Sequence, residues 1–213
     1  MDFFGFDLIT FIKGAGYLGL LGIIFAESGL FLGFFLPGDS LLFTAGFLAS
    51  QGYFNVAILA ALCFIGAVTG DSFGYAFGRK AGPKIFSRED SLMFKKSHLE
   101  RARIFYETYG GKTIILARFM PVVRTFAPIL AGVGAMNYSV FLFYNIIGGA
   151  LWAVGMPLAG YFLGSAIPGV DRYIIPIVAL IIIVSIAPPA LHILKNAEHR
   201  AEIGKILNKI FKP

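Results

Sequence analysis

Apolar residues run through this chain in blocks too long for a soluble helix, and the polar interruptions fall at a few defined places. Tyr138 to Gly164 and Tyr173 to Leu194 contain no Asp, Glu, Lys or Arg, and each provides the roughly 20 residues that a bilayer core demands of a helix. Asn55 to Gly78 is a third such block, broken only by Asp71 and ended by Arg79-Lys80-Ala81-Gly82-Pro83. Along it Ala67, Asp71, Gly74, Tyr75 and Gly78 recur at helical spacing, a small-residue face that lets a second helix approach closely.

Two further blocks are interrupted. Gly14 to Leu36 is apolar apart from Glu27; Pro37-Gly38-Asp39-Ser40 then breaks it, and only Leu41 to Ser50 follow before Gln51-Gly52. An arm of that length rises about 15 Å, half the hydrocarbon thickness of a bilayer. The pattern predicts a re-entrant hairpin over 14–50 followed by a span over 55–78. Thr113 to Met120 is likewise too short to cross before Pro121. Thr125 is placed to cap a returning arm that reaches about Ala135, with Pro128 in its first turn. This second hairpin, 113–136, precedes the span 138–164. Irregular backbone at such depth needs protein or water around it, because lipid cannot satisfy the freed amides.

Sliding the chain by 86 residues aligns Ala45-Gly46 with Ala131-Gly132, Ala67-Val68 with Ala153-Val154, and Gly74-Tyr75 with Gly160-Tyr161. Each unit is a hairpin plus one span, so successive units insert with opposite orientation, the architecture of secondary transporters with broken helices near the midplane. The expected fold class is an all-α polytopic membrane protein in a single membrane domain. It comprises two inverted repeats (14–78 and 113–164), each a re-entrant helical hairpin followed by a transmembrane helix, plus a last span over 173–194 and interfacial amphipathic helices. Residues 3 to 13 are too short to span and predict one interfacial segment. Ser97-His98-Leu99-Glu100 has capping-box spacing and predicts a surface helix ending at Gly110-Gly111. The tail from Glu198 to Lys212, with Ile203, Ile206, Leu207, Ile210 and Phe211 on one face, predicts a basic interfacial helix.

Composition agrees with this class: 57% of the 213 residues are hydrophobic and 15% aromatic, with a mean hydropathy of +0.78. The net charge of +6 comes from two basic blocks, 79–112 and 195–213. Such blocks are expected to be cytoplasmic and to meet anionic lipid headgroups, and no nucleic-acid site is read. A hairpin and two spans between them keep both blocks on one side. The single cysteine, Cys63, permits no disulfide framework and suits packing. His98, His192 and His199 lack the spacing of a zinc site, and no metal or cofactor is expected. Trp152 and the tyrosines read as packing and interface anchors. At the N-terminus, no basic n-region or cleavage site of a signal peptide is read.

Five ionisable residues fall within apolar blocks: Glu27, Asp39, Asp71, Arg118 and Arg124. Charges there are costly and default to functional hypotheses. Two readings remain open on the residues alone. Either the charges form structural pairs that close the hairpins, with Asp39 the N-cap of Leu41 to Ser50, or they form a binding site. A purely structural site gains little from buried ion pairs over apolar packing.

Taken together, Glu27, Leu36-Pro37-Gly38-Asp39-Ser40, Gly70-Asp71 with Tyr75, Gly78 and Arg79, and Arg118-Phe119-x-Pro121-x-x-Arg124-Thr125-x-x-Pro128-x-x-Ala131-Gly132 closely resemble the DedA family, also called SNARE-associated or VTT-domain membrane proteins. The resemblance runs from about residue 14 to 165. It implies two facing re-entrant hairpins and, in bacterial members, translocation of undecaprenyl phosphate across the inner membrane, linked to the proton motive force. The family's required acids and arginines fall on Glu27, Asp39, Arg118 and Arg124. In that reading Arg118 and Arg124 receive the lipid phosphate. Glu27 and Asp39 hold those arginines in the empty state and take up protons when phosphate displaces them. Asp71, Thr125 and Ser40 are supporting positions, and Asp71, expected near the cytoplasmic end, suits helix locking equally well. Two rival readings are a proton-coupled carrier of ions or small solutes, and a passive scramblase or membrane scaffold. No pairing of nucleophile and base stands out, so an enzyme is not expected.

Overall fold

The computed structural model describes residues 8–30, 38–85, 104, 106 and 108–166. All regular structure among them is helical: α1 (Leu8–Gly29), α2 (Gly38–Ser50), α3 (Val56–Ile85), α4 (Lys112–Arg118), α5 (Pro121–Val133), α6 (Tyr138–Gly149), a π-helical turn (Ala150–Val154) and α7 (Gly155–Ala166). The tip expected at Pro37, most of the basic loop, the three histidines, the span 173–194 and the tail lie outside the described residues.

Three helical stretches are long and apolar enough to cross a membrane: Leu8–Gly29, Val56–Gly82 and Tyr138–Ala166. Large apolar side chains such as Leu18, Leu116, Phe143 and Phe162 face outward, each more than half exposed, as a protein with lipid for solvent allows. The chain is therefore a multi-pass membrane protein. The block expected to begin at Gly14 instead starts its helix at Leu8, and Gly16, at φ 59 and ψ −166, bends it. That backbone region is essentially restricted to glycine. α2, with 13 residues, rises about 20 Å and is too short to cross.

Several expectations change in detail. The span expected to stop at Gly78 continues to Ile85, which puts Asp71 at the middle of α3 rather than near its end. α5 starts at Pro121 with Met120 as N-cap, because proline at the first helical position supplies a suitable φ and gives up only an N–H with no intrahelical partner. Thr125 is thus inside the helix and not its cap, and Pro128 lies beyond the first turn.

Glycine brings the helices together. An added Cβ at Gly46 would lie 2.0 Å from the Pro157 carbonyl oxygen, and one at Gly160 2.1 Å from that of Phe43, so α2 and α7 pack backbone to backbone. Gly78 against Ile129 and Gly132 against Tyr75 do the same for α3 and α5, each at 2.1 Å. Both short arms end alike. Tyr53 N–H donates to the Leu48 carbonyl and Gly52 N–H to that of Ala49; Met136 donates to Ala131 and Ala135 to Gly132. These are Schellman caps, with Gly52 (φ 84) and Ala135 (φ 54) in the left-handed position. An asparagine then caps the next helix in each case: Asn55 Oδ1 accepts from Ala57 and Ile58, and Asn137 Oδ1 from Ser139 and Val140. The core between these elements gathers Leu20, Ile24, Leu42, Leu59, Cys63 and Trp152 from α1, α2, α3 and the π turn.

Candidate functional site

Glu27 lies near the end of α1, Asp39 in the first turn of α2, Arg124 in the first turn of α5 and Trp152 within the π turn. The fold brings all four together. Arg124 Nη2 donates to Glu27 Oε1, and Nη1 donates to Asp39 Oδ1 at 2.6 Å. Trp152 Nε1 donates to the same Asp39 oxygen at 2.7 Å. The Arg124 guanidinium also lies over the Trp152 ring, 4.6 Å from its centre, within reach of a cation–π attraction. Of the two readings left open for Asp39, the N-cap does not hold: Asp39 is inside α2, not ahead of it, and is an ion-pair partner of Arg124.

Local chemistry explains this convergence. Gly38 opens α2, and a Cβ there would sit 1.8 Å from Glu27 Oε2, so only glycine lets the carboxylate reach the positive end of the helix. Two carboxylates at a helix N-terminus are favoured by its dipole. Arg124, by contrast, sits at the positive end of α5, where it is electrostatically unfavourable until those carboxylates balance it. Trp152 is displayed from a widened turn. Pro157 offers no N–H to the Ala153 carbonyl, and the helix relaxes into π geometry there.

Arg118 forms a second centre. As the last residue of α4, at the end that favours a cation, it donates through Nη2 to Asp71 Oδ2 and to Asn145 Oδ1. Asn145 in turn donates to the Val68 carbonyl at 3.1 Å. Gly148 makes room: a Cβ added there would lie 3.3 Å from Arg118 Cδ. The Arg118 guanidinium is 5.8 Å from the Trp152 ring centre, so both guanidinium groups lie near one indole. The expectation that Glu27 and Asp39 hold both arginines is corrected here: both acids serve Arg124, and Asp71 serves Arg118. Of the supporting positions, Ser40 and Thr125 are buried beside these centres.

Everything in the cluster is removed from solvent except Asp39, whose side chain is 19% exposed against 0% for Glu27. Several polar atoms are buried without a hydrogen-bond partner: Nε of Arg118 and of Arg124, Oε2 of Glu27 and Oγ1 of Thr125. Unmade hydrogen bonds on charged groups are costly, and two unsatisfied guanidinium donors match the acceptor oxygens of an anion. Sequence reasoning missed Asn145 and Trp152. Their signal was position: both stand well inside the apolar block 138–164, where interface anchors do not belong.

The VTT domain matches residues 36–162. Protein DedA of Escherichia coli K12 is 46% identical over 191 residues, which is 89% of this chain and 87% of that protein. An uncharacterized membrane protein of Mycobacterium tuberculosis is 46% identical over 172 residues, 80% of this chain and 75% of its own length. Inner membrane protein YqjA of E. coli is 33% identical over 153 residues, 71% of this chain and 69% of its own. No solved structure matches the chain. The matched segment contains both arms, two of the long helices, and every charged residue of the buried cluster but Glu27, and on that basis the chain belongs to the DedA family of VTT-domain membrane proteins.

Proposed function

We propose that the protein is a transporter rather than an enzyme, and that it moves a lipid phosphate, most specifically undecaprenyl phosphate, between the leaflets of the bacterial inner membrane under the proton motive force. The observation that carries this reading is the pair of buried guanidinium groups on one indole, each with an unpartnered Nε. A phosphate supplies the oxygens that such donors want, bidentate to each arginine. Among the described residues, three carboxylates (Glu27, Asp39 and Asp71) face the two guanidinium groups. Uptake of one proton therefore balances the cluster, and arrival of an anionic headgroup calls for more. This supports proton coupling, with Asp39 nearest to solvent as the entry point. The name of YqjA supports an inner-membrane location.

Two inverted units are part of the proposal. Support comes from the paired contacts: Gly46 on Pro157 and Gly132 on Tyr75, Gly160 on Phe43 and Gly78 on Ile129. These relate the arms by 86 residues but the following spans by 82, the offset that also relates Asn55 to Asn137. The second arm ends about one turn earlier, which accounts for the difference. In this scheme each short arm packs on the other unit's span, and the charged tips meet between the units.

The test is transfer of a polyprenyl phosphate by the protein in liposomes, with and without a pH gradient. Wild type is expected to transfer the lipid faster with the gradient. Arg124→Lys is expected to lose about tenfold or more, because a lysine cannot reach two carboxylates and stack on an indole at once, and one charge-assisted hydrogen bond contributes about 1.5–3 kcal/mol. Wild-type transfer by that variant would overturn the proposal.

A further inference from the structure

A cavity of about 750 Å³ opens between the end of α3 and the turn that joins α5 to α6, lined in part by Ser72, Arg79, Lys80, Asn137, Tyr138 and Ser139. It is separate from the buried cluster: Ser72 lines it, while the neighbouring Asp71 carboxylate is committed to Arg118. Among the described residues, two cations and no carboxylate line its wall. Arg79 is held in place, donating through Nη1 to the Tyr75 hydroxyl at 2.8 Å and to the Met136 carbonyl at 3.4 Å. Tyr75 donates in turn to that same carbonyl. The Met136 carbonyl is aimed at them by the left-handed turn at Ala135. Asn137, Tyr138 and Ser139 place the positive end of α6 at the rim, which adds to the attraction for an anion.

We infer that this cavity is a second anion site, built to take a phosphate group outside the buried arginine cluster. A pair of cations with no carboxylate beside it among the described lining residues, next to a helix N-terminus, selects negative charge. Ser72 and Tyr75 already donate their hydroxyl hydrogens to the Val68 and Met136 carbonyls, which leaves the Ser139 hydroxyl, the Lys80 ammonium and the remaining Arg79 N–H groups as donors to several oxygens. The volume lies in the range of sites for whole small molecules and far exceeds what a bare phosphate fills, leaving room for the rest of a headgroup. Tyr75 and Tyr138, ring centres 5.3 Å apart, form an apolar wall on one side. The bound group is a phosphate of net negative charge, either the phosphomonoester of a lipid headgroup or free phosphate.

The full chain in a neutral detergent is titrated calorimetrically with soluble dihexanoyl phosphatidic acid, with inorganic phosphate and with dihexanoyl phosphatidylcholine. Phosphatidic acid is expected to bind more tightly than phosphatidylcholine, and Lys80→Gln and Arg79→Gln are each expected to weaken it about tenfold, the loss of one charge-assisted contact. Lys80 is exposed at the rim, so its substitution leaves the fold intact even if Arg79→Gln loosens the turn. Binding of both anions with like affinity assigns the site to phosphate itself; preference for the lipid assigns it to a headgroup. The component that depends on Lys80 is expected to persist in Arg124→Lys, whatever becomes of transport in that variant. Wild-type affinity in Lys80→Gln, equal binding of phosphatidylcholine, absence of binding by wild type, or loss of the component in Arg124→Lys would each overturn the inference.

Discussion

Arg124 is held by side chains from three separate parts of the chain, and each contact has its own consequence. Trp152 contributes both a donor to Asp39 and a ring beneath the guanidinium. Trp152→Phe keeps a ring and removes the donor, so a stability loss of about 1–3 kcal/mol is expected in reversible unfolding. Trp152→Leu should lose a further ~0.5–2 kcal/mol with the cation–π contact. The two acids differ in access rather than in partner. Asp39→Asn is expected to abolish the acceleration of lipid transfer by a pH gradient while slow transfer persists, measured in the same liposomes; full acceleration in the variant would remove Asp39 from the coupling. Asp71 belongs with Arg118, and its removal leaves a buried guanidinium short of its counter-charge, a loss of about 3–5 kcal/mol for pairs of this kind. The five charges were legible in the sequence because ionisable residues are rare within apolar blocks. Their pairing was not, because spacing along the chain carries no information on which arginine faces which acid.

At the scale of elements, the ends of the two short arms are the most instructive. Gly52 could be read as a stop after α2, whereas nothing in Gly134-Ala135-Met136 marks Ala135 as the residue that turns left-handed. An alanine in that conformation costs roughly 1–2 kcal/mol, offset in part against the entropy that glycine would lose. Ala135→Gly is therefore expected to stabilise the protein by about 0.5–1 kcal/mol, read as a rise in its thermal midpoint. Helix starts were less legible than stops. Thr125 has the chemistry of a cap, but Pro121 four residues earlier is already compatible with helix, and the early start turns Arg124 toward α1 and α2. The π turn was invisible as such. Pro157 drew no reading in the sequence, although the N–H it lacks is what lets the helix widen and present Trp152.

For the whole molecule, membrane insertion followed directly from the length of the apolar blocks, and three of the helices are long enough to cross. Sidedness is a prediction at this scale. With Cys63 replaced by alanine, cysteine substituted at Lys80 or Ser139 is expected to react with an impermeant thiol reagent from the cytoplasmic side, and cysteine at Gln51 from the opposite side. Labelling of Lys80→Cys and Ser139→Cys from different sides would contradict a hairpin between the basic loop and the span 138–164. Each short arm packs against the helix that follows the other arm, so neither half can close its own charged tip.

The sequence by itself determined that this is a helical membrane protein, which charged residues lie in the apolar blocks and to which family it belongs, because bilayer thickness and the cost of intramembrane charge act on residues one by one along the chain. Only the tertiary structure decided that Glu27 and Asp39 share Arg124, that Asp71 and Asn145 hold Arg118, and that both guanidinium groups come close to the Trp152 ring centre, at 5.8 and 4.6 Å. Those pairings arise from glycine contacts between helices far apart in sequence, where backbone meets backbone and side chains from separate elements are brought face to face.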